Sequence, residues 1–249
     1  HKGEFGRLFL LAGSVGYTGA PVLAAQAAVR SGAGLVYLGV PPGIYPIVAV
    51  KCNEAMPFPL PEERQEIWKR ASACDAALLG PGLGRGEREA ELVRALLEGL
   101  ECPVVLDADG INAVAGHIDS LDRRRGRITV LTPHDGEFAR LACRPVGEDR
   151  LGSAREFAQV HGCILVLKGH RTITALPNGA AFVNTTGNPG MAKGGSGDVL
   201  AGMLCALLGQ GLEPGRAAVT AVYLHGWAGD RCAQMLGEYS MTPTDLVEA

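Results

Sequence analysis

The sequence predicts an α/β fold: three layers, α/β/α, around a mainly parallel central sheet, with a β-hairpin before the C-terminal helices. Three observations predict it. Short apolar runs alternate with amphipathic stretches along almost the whole 249 residues. The apolar runs are continuous rather than alternating, as strands covered on both faces require. Glycine clusters fall where strands give way to helices, the usual place for ligands in open α/β sheets. No linker, repeat or low-complexity stretch divides the chain, and its length suits one large α/β unit, so a single domain over 1–249 is expected.

The elements follow in order. RLFLLAG (7–13) reads as a buried strand and PVLAAQAAVRSGA (21–33) as a helix with Pro21 in its first turn. LVYLGV (35–40) is a second strand, EERQEIWKRASA (62–73) a helix and DAALLG (75–80) a third strand. EREAELVRALLEGL (87–100) is a helix with one charged face, and PVVLDADG (103–110) a strand running into a loop. RITVLTPH (127–134) is a strand, followed by a short helix from Gly136 to Ala142 and another near 153–161. CILVLKG (163–169) is the last of these buried strands. The texture then changes: TITALPNGAAFVN is two β-runs joined by Pro177-Asn178-Gly179, a hairpin signal. Two long helices, about 197–209 and 214–236, follow the glycine stretch.

Composition excludes several classes of function. With a net charge of −3 and no basic stripe beyond RRRGR (123–127), which reads as a solvated loop, nucleic acid is not an expected partner. No secretory leader pattern and no apolar run of about 18 residues is present, so no membrane partner and a cytoplasmic location are expected. The seven cysteines are scattered, odd in number and form no CxxC, which favours free thiols over disulfides or a zinc site. No side-chain metal cage is assigned.

The 35 glycines exceed the usual share of roughly 7% and cluster in four loops: AGSVGYTGAP (12–21), GPGLGRG (80–86), KGHRT (168–172) and GGSGD (194–198). None is a GxGxxG fingerprint or a P-loop. GGSGD supplies another device, because consecutive backbone amides at a helix N-terminus form a nest whose dipole suits a phosphoryl group in transfer. Asp198 beside it reads either as an ordinary first-turn acid or as a base that orients a substrate hydroxyl and accepts its proton. On spacing alone the two stand level, and the helix dipole is expected to depress its pKa.

GGSGD with the preceding NPGMAK resembles the anion hole and aspartate of ribokinase-like small-molecule kinases. Within that superfamily the chain closely resembles the ADP/ATP-dependent NAD(P)H-hydrate dehydratases. The matching pieces are HKGEFGRLFLLAGSVGYTGA, LGPGLGRG, VLDADGIN, LTPHDGEFARL, VLKGHRTIT and NTTGNPGMAKGGSGDVLAG. Each is weak alone, but the six stand in the family's order and span almost the whole chain. The resemblance implies a ribokinase-like fold and a lyase that repairs the 6-hydroxylated hydrate of NADH or NADPH. A nucleoside phosphate, ADP or ATP, phosphorylates the ring hydroxyl, phosphate leaves, and Mg²⁺ screens the phosphates. It also implies a homotetramer.

By motif position the resemblance makes Asp198 the base on the 6-hydroxyl. The amides of Gly194, Gly195, Ser196 and Gly197 hold the moving phosphoryl, with Gly197 also near the nucleotide. Ala20, Gly84 and His134 match positions lining the hydrate site. Lys168, Gly169, His170, Arg171 and Thr172, with Asn188, Met191, Ala192 and Lys193, match nucleotide-binding segments. His134 also reads as a strand-end histidine with a satisfied ring, and Lys168 as an ordinary strand-end lysine. Asp107 and Asp109 could assist a magnesium–water network, or Asp109 could cap the helix that follows. Glu137 reads as a first-turn acid with an orienting role. Asn53 stands where the family usually has proline. The family often carries an N-terminal epimerase domain, and the sequence here opens at His1 inside the first motif. Two rivals remain at this level: a superfamily kinase acting on a vitamin-precursor alcohol, which would release a stable phospho-product, and a silent nucleotide sensor, against which the intact Asp198 speaks.

Overall fold

A computed structural model describes residues 2–249. In chain order the elements are β1 (Arg7–Leu11), α1 (Gly19–Arg30), β2 (Leu35–Val40), α2 (Tyr45–Lys51), β3 (Met56–Pro59), α3 (Arg64–Ser72), β4 (Ala76–Leu79) and α4 (Glu87–Gly99). Then come β5 (Val104–Leu106), α5 (Asp109–Val114), α6 (Asp119–Asp122), β6 (Thr129–Leu131), α7 (Asp135–Ala142), α8 (Arg150–His161) and β7 (Ile164–Leu167). The hairpin β8 (Ile173–Ala175) and β9 (Ala181–Val183) leads to α9 (Ser196–Gly209), α10 (Pro214–Leu236) and α11 (Pro243–Glu248).

One nine-stranded sheet has the order β3-β2-β1-β4-β5-β6-β7-β8-β9, parallel from β3 to β7 and antiparallel through the hairpin. Alternate residues of each strand feed two cores. Leu8 and Leu10 face α1, α9 and α10, while Phe9 and Leu11 face Val93, Leu97, Phe138 and Phe157 on the other layer. This is the expected three-layer architecture, and the two β-runs after residue 172 form the expected hairpin. The α1–α9 crossing is close enough that a Cβ on Gly202 would lie 2.1 Å from the Ala24 carbonyl, so only glycine fits.

Strand order reverses between β1 and β4. Their loops therefore leave neighbouring strand ends in opposite directions, which opens a crevice at the carboxyl edge of the sheet. Gly13 N–H bonds the Pro81 carbonyl at 2.8 Å and the Ser14 hydroxyl bonds the Gly82 carbonyl at 2.8 Å, so the two glycine loops are zipped side by side.

Two sequence expectations need correction. Strand β3 was not foreseen because MPFP carries two prolines; as the outermost strand, paired to β2 alone, it tolerates the missing donors. The RRRGR run is not wholly solvated, since Arg124 is buried. Its guanidinium donates to the carbonyls of Leu97 (2.9 Å), Leu100, Cys102 and Ile128 and to Thr129 Oγ1 (2.9 Å). Burial lowers its pKa to about 10, which leaves it charged at neutral pH.

Candidate active site

The site lies along the crevice, where β5, β6 and β7 end and α9 begins. Thr132 Oγ1 donates to Asp107 Oδ1 at 2.6 Å, and Lys168 Nζ donates to the same oxygen at 2.8 Å. Glu137 Oε2 stands 3.8 Å from Lys168 Nζ. The start of α9 closes the cluster: a Cβ on Gly197 would lie 3.2 Å from Lys168 Nζ and 4.0 Å from Asp107 Oδ2. Three strand ends and one helix N-terminus thus bring an ammonium, two buried carboxylates and the GGSGD amides together.

Asp198, one residue further on, is the fourth charge. Its pKa is raised to about 7: burial penalises the carboxylate first, the nearby Asp107 and Glu137 charges add to this, and Lys168 offsets part of it. The depressed pKa expected from the helix dipole is therefore corrected, because partial burial among like charges outweighs it. Lys168 balances in the other direction. Burial alone would lower it, but Asp107, Glu137 and Asp198 hold its pKa above the ordinary lysine value.

The nest is built of glycine-rich backbone, but one of its amides is already used: the Ser196 N–H donates to the Lys193 carbonyl at 3.3 Å. Gly195 is the N-cap of α9 with φ +105°, packed 2.7 Å from Leu23 Cδ1 of α1 as gauged from an added Cβ, and no side chain caps the helix. Leu23 stands one turn from Ala20, so the nest and Ala20 share the same helix end.

The substrate-side candidates gather around the two zipped loops. Ala20 opposes Gly82, and the Gly84 N–H donates to Asp109 Oδ2 at 2.9 Å. Asp109 is the first residue of α5 rather than its cap. The cap is Ala108, at φ 50° and ψ −113°, an unfavourable backbone for alanine held between the two aspartates. His134 caps α7: its Nδ1 accepts from Gly136 N–H at 3.0 Å and Glu137 N–H at 3.4 Å, while Glu137 Oε2 accepts from His134 N–H at 2.9 Å. This capping box fixes Glu137 toward Lys168 and leaves His134 Nε2 carrying the ring hydrogen, with the side chain 55% exposed.

The nucleotide-side candidates form two stretches. Gly169, with φ +154°, follows Lys168, and Thr172 Oγ1 bonds the Gly169 carbonyl at 3.1 Å, tightening a turn that exposes His170 and Arg171. Asn188 Oδ1 accepts from Gly190 N–H at 3.0 Å. The side chains of Met191 and Lys193 are spent elsewhere. Met191 packs in a small core with Val199 and Cys232, and the Lys193 ammonium takes the carbonyls of Glu238, Tyr239 and Met241. Only their backbone is left to face a ligand.

Sequence reading missed three residues here. Arg150 bonds the Lys168 carbonyl at 3.2 Å and pairs with Asp135, holding the end of β7. His225 of α10 lies by the Ser196 backbone, and burial lowers its pKa to about 4, so it stands neutral behind the nest. Asp230 of α10 grips the 187–188 turn. The histidine and aspartate among the alanines and glycines of α10 were the available signal.

Residues 8–249 match the family model described as NAD(P)H-hydrate dehydratase. The chain belongs to that family. It is 44% identical to the bifunctional NAD(P)H-hydrate repair enzyme Nnr of Moorella thermoacetica over 260 aligned positions, covering all of this chain and 49% of that one. The chain spans about half the length of this and the other bifunctional relatives it matches. Among solved structures, a ribokinase-like superfamily protein of Enterococcus faecalis V583 superposes with a TM-score of 0.89 at 31% identity, over 100% of this chain and 86% of that one. The ADP/ATP-dependent NAD(P)H-hydrate dehydratase of Bacillus subtilis, co-crystallised with ATP/Mg²⁺, superposes at 0.84 with 33% identity, over 100% and 88%. The fold is ribokinase-like, as the motifs implied. Among the described residues, no group of three or more His, Cys, Asp or Glu side chains is arranged to hold a metal ion, and Asp107 and Glu137 already face Lys168. These side chains do not fit a resident Mg²⁺ cage.

Proposed function

We propose that this chain is a lyase that dehydrates NAD(P)H-hydrate to NAD(P)H at the expense of ADP or ATP, releasing phosphate and AMP or ADP. The observation that carries this reading is a carboxylate of near-neutral proton affinity, Asp198, set one residue beyond an uncapped nest of backbone amides. Residues 1–249 act as one catalytic domain, with the hydrate on the Ala20, Gly84 and His134 side. The nucleotide takes the turn from Lys168 to Thr172 and the backbone from Asn188 to Gly194, with Gly197 shared between the ligands.

In this reading Asp198 takes the proton of the 6-hydroxyl as its oxygen attacks the terminal phosphorus, and the bridging P–O bond breaks toward the nucleotide. The amides of Gly194, Gly195 and Gly197 receive the developing charge on the phosphoryl oxygens, and the Ser196 N–H joins them by exchanging its 3.3 Å bond to the Lys193 carbonyl for the phosphoryl. The C–O bond then breaks, phosphate leaves with the electron pair, and loss of a ring proton restores the dihydronicotinamide. Lys168 offsets part of the charge of Asp107 and Glu137 and so weakens their repulsion of the phosphates. Mg²⁺ would come with the nucleotide's own phosphates, which suits an ion that keeps most of its water.

The test is an absorbance assay with purified hydrate, Mg²⁺ and each nucleotide in turn. The dihydronicotinamide band returns with one phosphate per turnover; a stable phosphorylated product without that band would instead identify a kinase. A cytoplasmic location fits the seven unpaired cysteines. A homotetramer fits the exposed apolar residues Tyr223 and Trp227 on α10 and Phe182 and Val183 on the edge strand β9, and sedimentation velocity measures it.

A further inference from the structure

Between the hairpin and the nest the chain crosses α10, and the crossing is tight. Gly226, Gly229 and Asp230 share one face of that helix at i, i+3 and i+4 spacing. A Cβ on Gly226 would lie 2.2 Å from Thr186 Oγ1, and one on Gly229 would lie 2.3 Å from Met191 Sδ, so residues 186–191 rest directly on the helix. Asp230 supplies the charge at this crossing. Its Oδ2 accepts the Gly187 N–H at 2.9 Å and its Oδ1 accepts the Asn188 side-chain amide at 3.1 Å. Asn188 Oδ1 then accepts the Gly190 N–H at 3.0 Å. The Asn188 amide is therefore fixed at both ends and cannot turn over without losing a bond at each. Four residues beyond Gly190, the nest begins.

We propose that Asp230 is a positioning residue for the nucleotide: by holding Gly187 and Asn188 it sets the register in which the following backbone and the nest meet the phosphates, resting on the nucleotide site proposed above. Asp230 touches no reacting atom and acts through Asn188. A carboxylate suits the task because charge-assisted bonds from two donors, one backbone and one side chain, outlast the loop's own motions better than neutral ones. The other side of the loop is held separately, by Lys193 on the carbonyls at 238, 239 and 241. Asp230 is thus one of two anchors, and its loss loosens the loop without freeing it.

Calorimetric titration of the full chain with ADP and, separately, with NADH hydrate tests this, alongside thermal unfolding. Asp230→Ala is expected to weaken ADP about tenfold while hydrate affinity stays within about twofold. Asp230→Asn keeps an acceptor for Gly187 but turns an NH₂ toward Asn188, so its loss falls between the two. In a double-mutant cycle, adding Asn188→Ala to Asp230→Ala costs little more than either change alone, because both break one chain of bonds. The inference is overturned if both Asp230 variants bind ADP within about twofold of the unaltered protein, or if ADP and hydrate affinities fall together with the melting temperature. If Asp230→Ala does not fold, the Asn variant decides. Failure of the unaltered protein to bind ADP would instead remove the nucleotide site itself.

Discussion

Two buried cations sit at opposite edges of the same sheet, and they do different things. Arg124, ahead of β6, is met only by neutral oxygens, four carbonyls and the Thr129 hydroxyl. Two of those carbonyls, Leu97 and Leu100, belong to the end of α4, so the guanidinium caps that helix and ties it to β5 and β6. Lys168, past the end of β7, is met by carboxylates: Asp107 in contact, Glu137 at 3.8 Å, and Asp198 near enough to shift it. Neutral partners satisfy a buried charge and leave it inert. Charged partners in excess of the cation leave one carboxylate under-compensated, and that one, Asp198, is held near neutrality, where a proton moves easily.

The largest expected effect comes from removing that carboxylate's charge. Asp198→Asn should lower kcat by about 10³-fold, in the range of a lost general base, with ADP affinity nearly unchanged in calorimetry. A variant keeping most of its turnover would refute the role. The unaltered protein should show kcat/KM rising with pH through about 7 as Asp198 ionises. Stability must run the other way. A carboxylate whose folded pKa, about 7, lies above its ordinary 3.8 holds its proton more tightly when folded, so it favours the fold below pH 4 and loses that contribution as pH climbs through 7. Urea unfolding should therefore find Asp198→Asn more stable than the unaltered protein at pH 8, by on the order of 2 kcal/mol after allowance for partial exposure, and equal to it near pH 4.

Lys168→Met sharpens the contrast by removing the cation and leaving its carboxylates. It should cost about 3 kcal/mol in urea unfolding at pH 8, because Asp107 is left charged and buried without its partner. It should also move the acid limb of kcat/KM to higher pH, since Lys168 is the one group lowering the Asp198 pKa. An unmoved limb would show that the two do not communicate.

How much of this was legible follows from where each partner lies in the chain. The nest and Asp198 are contiguous, so a glycine run entering an apolar helix announced both. Asp107 and Lys168 are 61 residues apart and meet only because β5 and β7 flank β6 in the sheet. Each was noticed at a strand end, yet nothing in the sequence paired them, and so the sign of the Asp198 shift was missed. Arg124 was hidden by its neighbours: in a run of arginines, charge alone does not say which one turns inward. Asp230 and His225 were hidden by α10, whose length and apolar face read as packing. The fold, by contrast, was carried by periodicity repeated strand after strand; it missed the proline-rich edge β3 and the helices α2, α6 and α11, each too short to show a period.

Arg124→Met tests the inert side of the comparison. Five oxygens lose the guanidinium, and while the Leu100 and Ile128 carbonyls keep a second donor in Arg127 Nη1 and the Val104 N–H, the others do not, so unfolding in urea should show a loss of about 3 kcal/mol. The kcat of the folded fraction at 25 °C should stay within about twofold, the site lying at the far edge of the sheet. A comparable fall in kcat would mean that the two cations are coupled through β6, and the separation drawn above would fail.

The smallest effect is expected at His134, where the cap and the proposed ligand role fall on one ring. His134→Ala removes the capping acceptor, at a cost of about 1 kcal/mol in stability, together with Nε2, which stands 3.5 Å from Glu137 Oε1. His134→Asn separates them: asparagine is a good N-cap, so stability returns, but its side chain is too short to replace Nε2. Hydrate binding should therefore fall by about tenfold in both variants, with ADP affinity within about twofold. Hydrate affinity that recovers together with the cap would mean His134 acts by aiming Glu137 at Lys168. Equal losses for both ligands would take it off the hydrate side altogether.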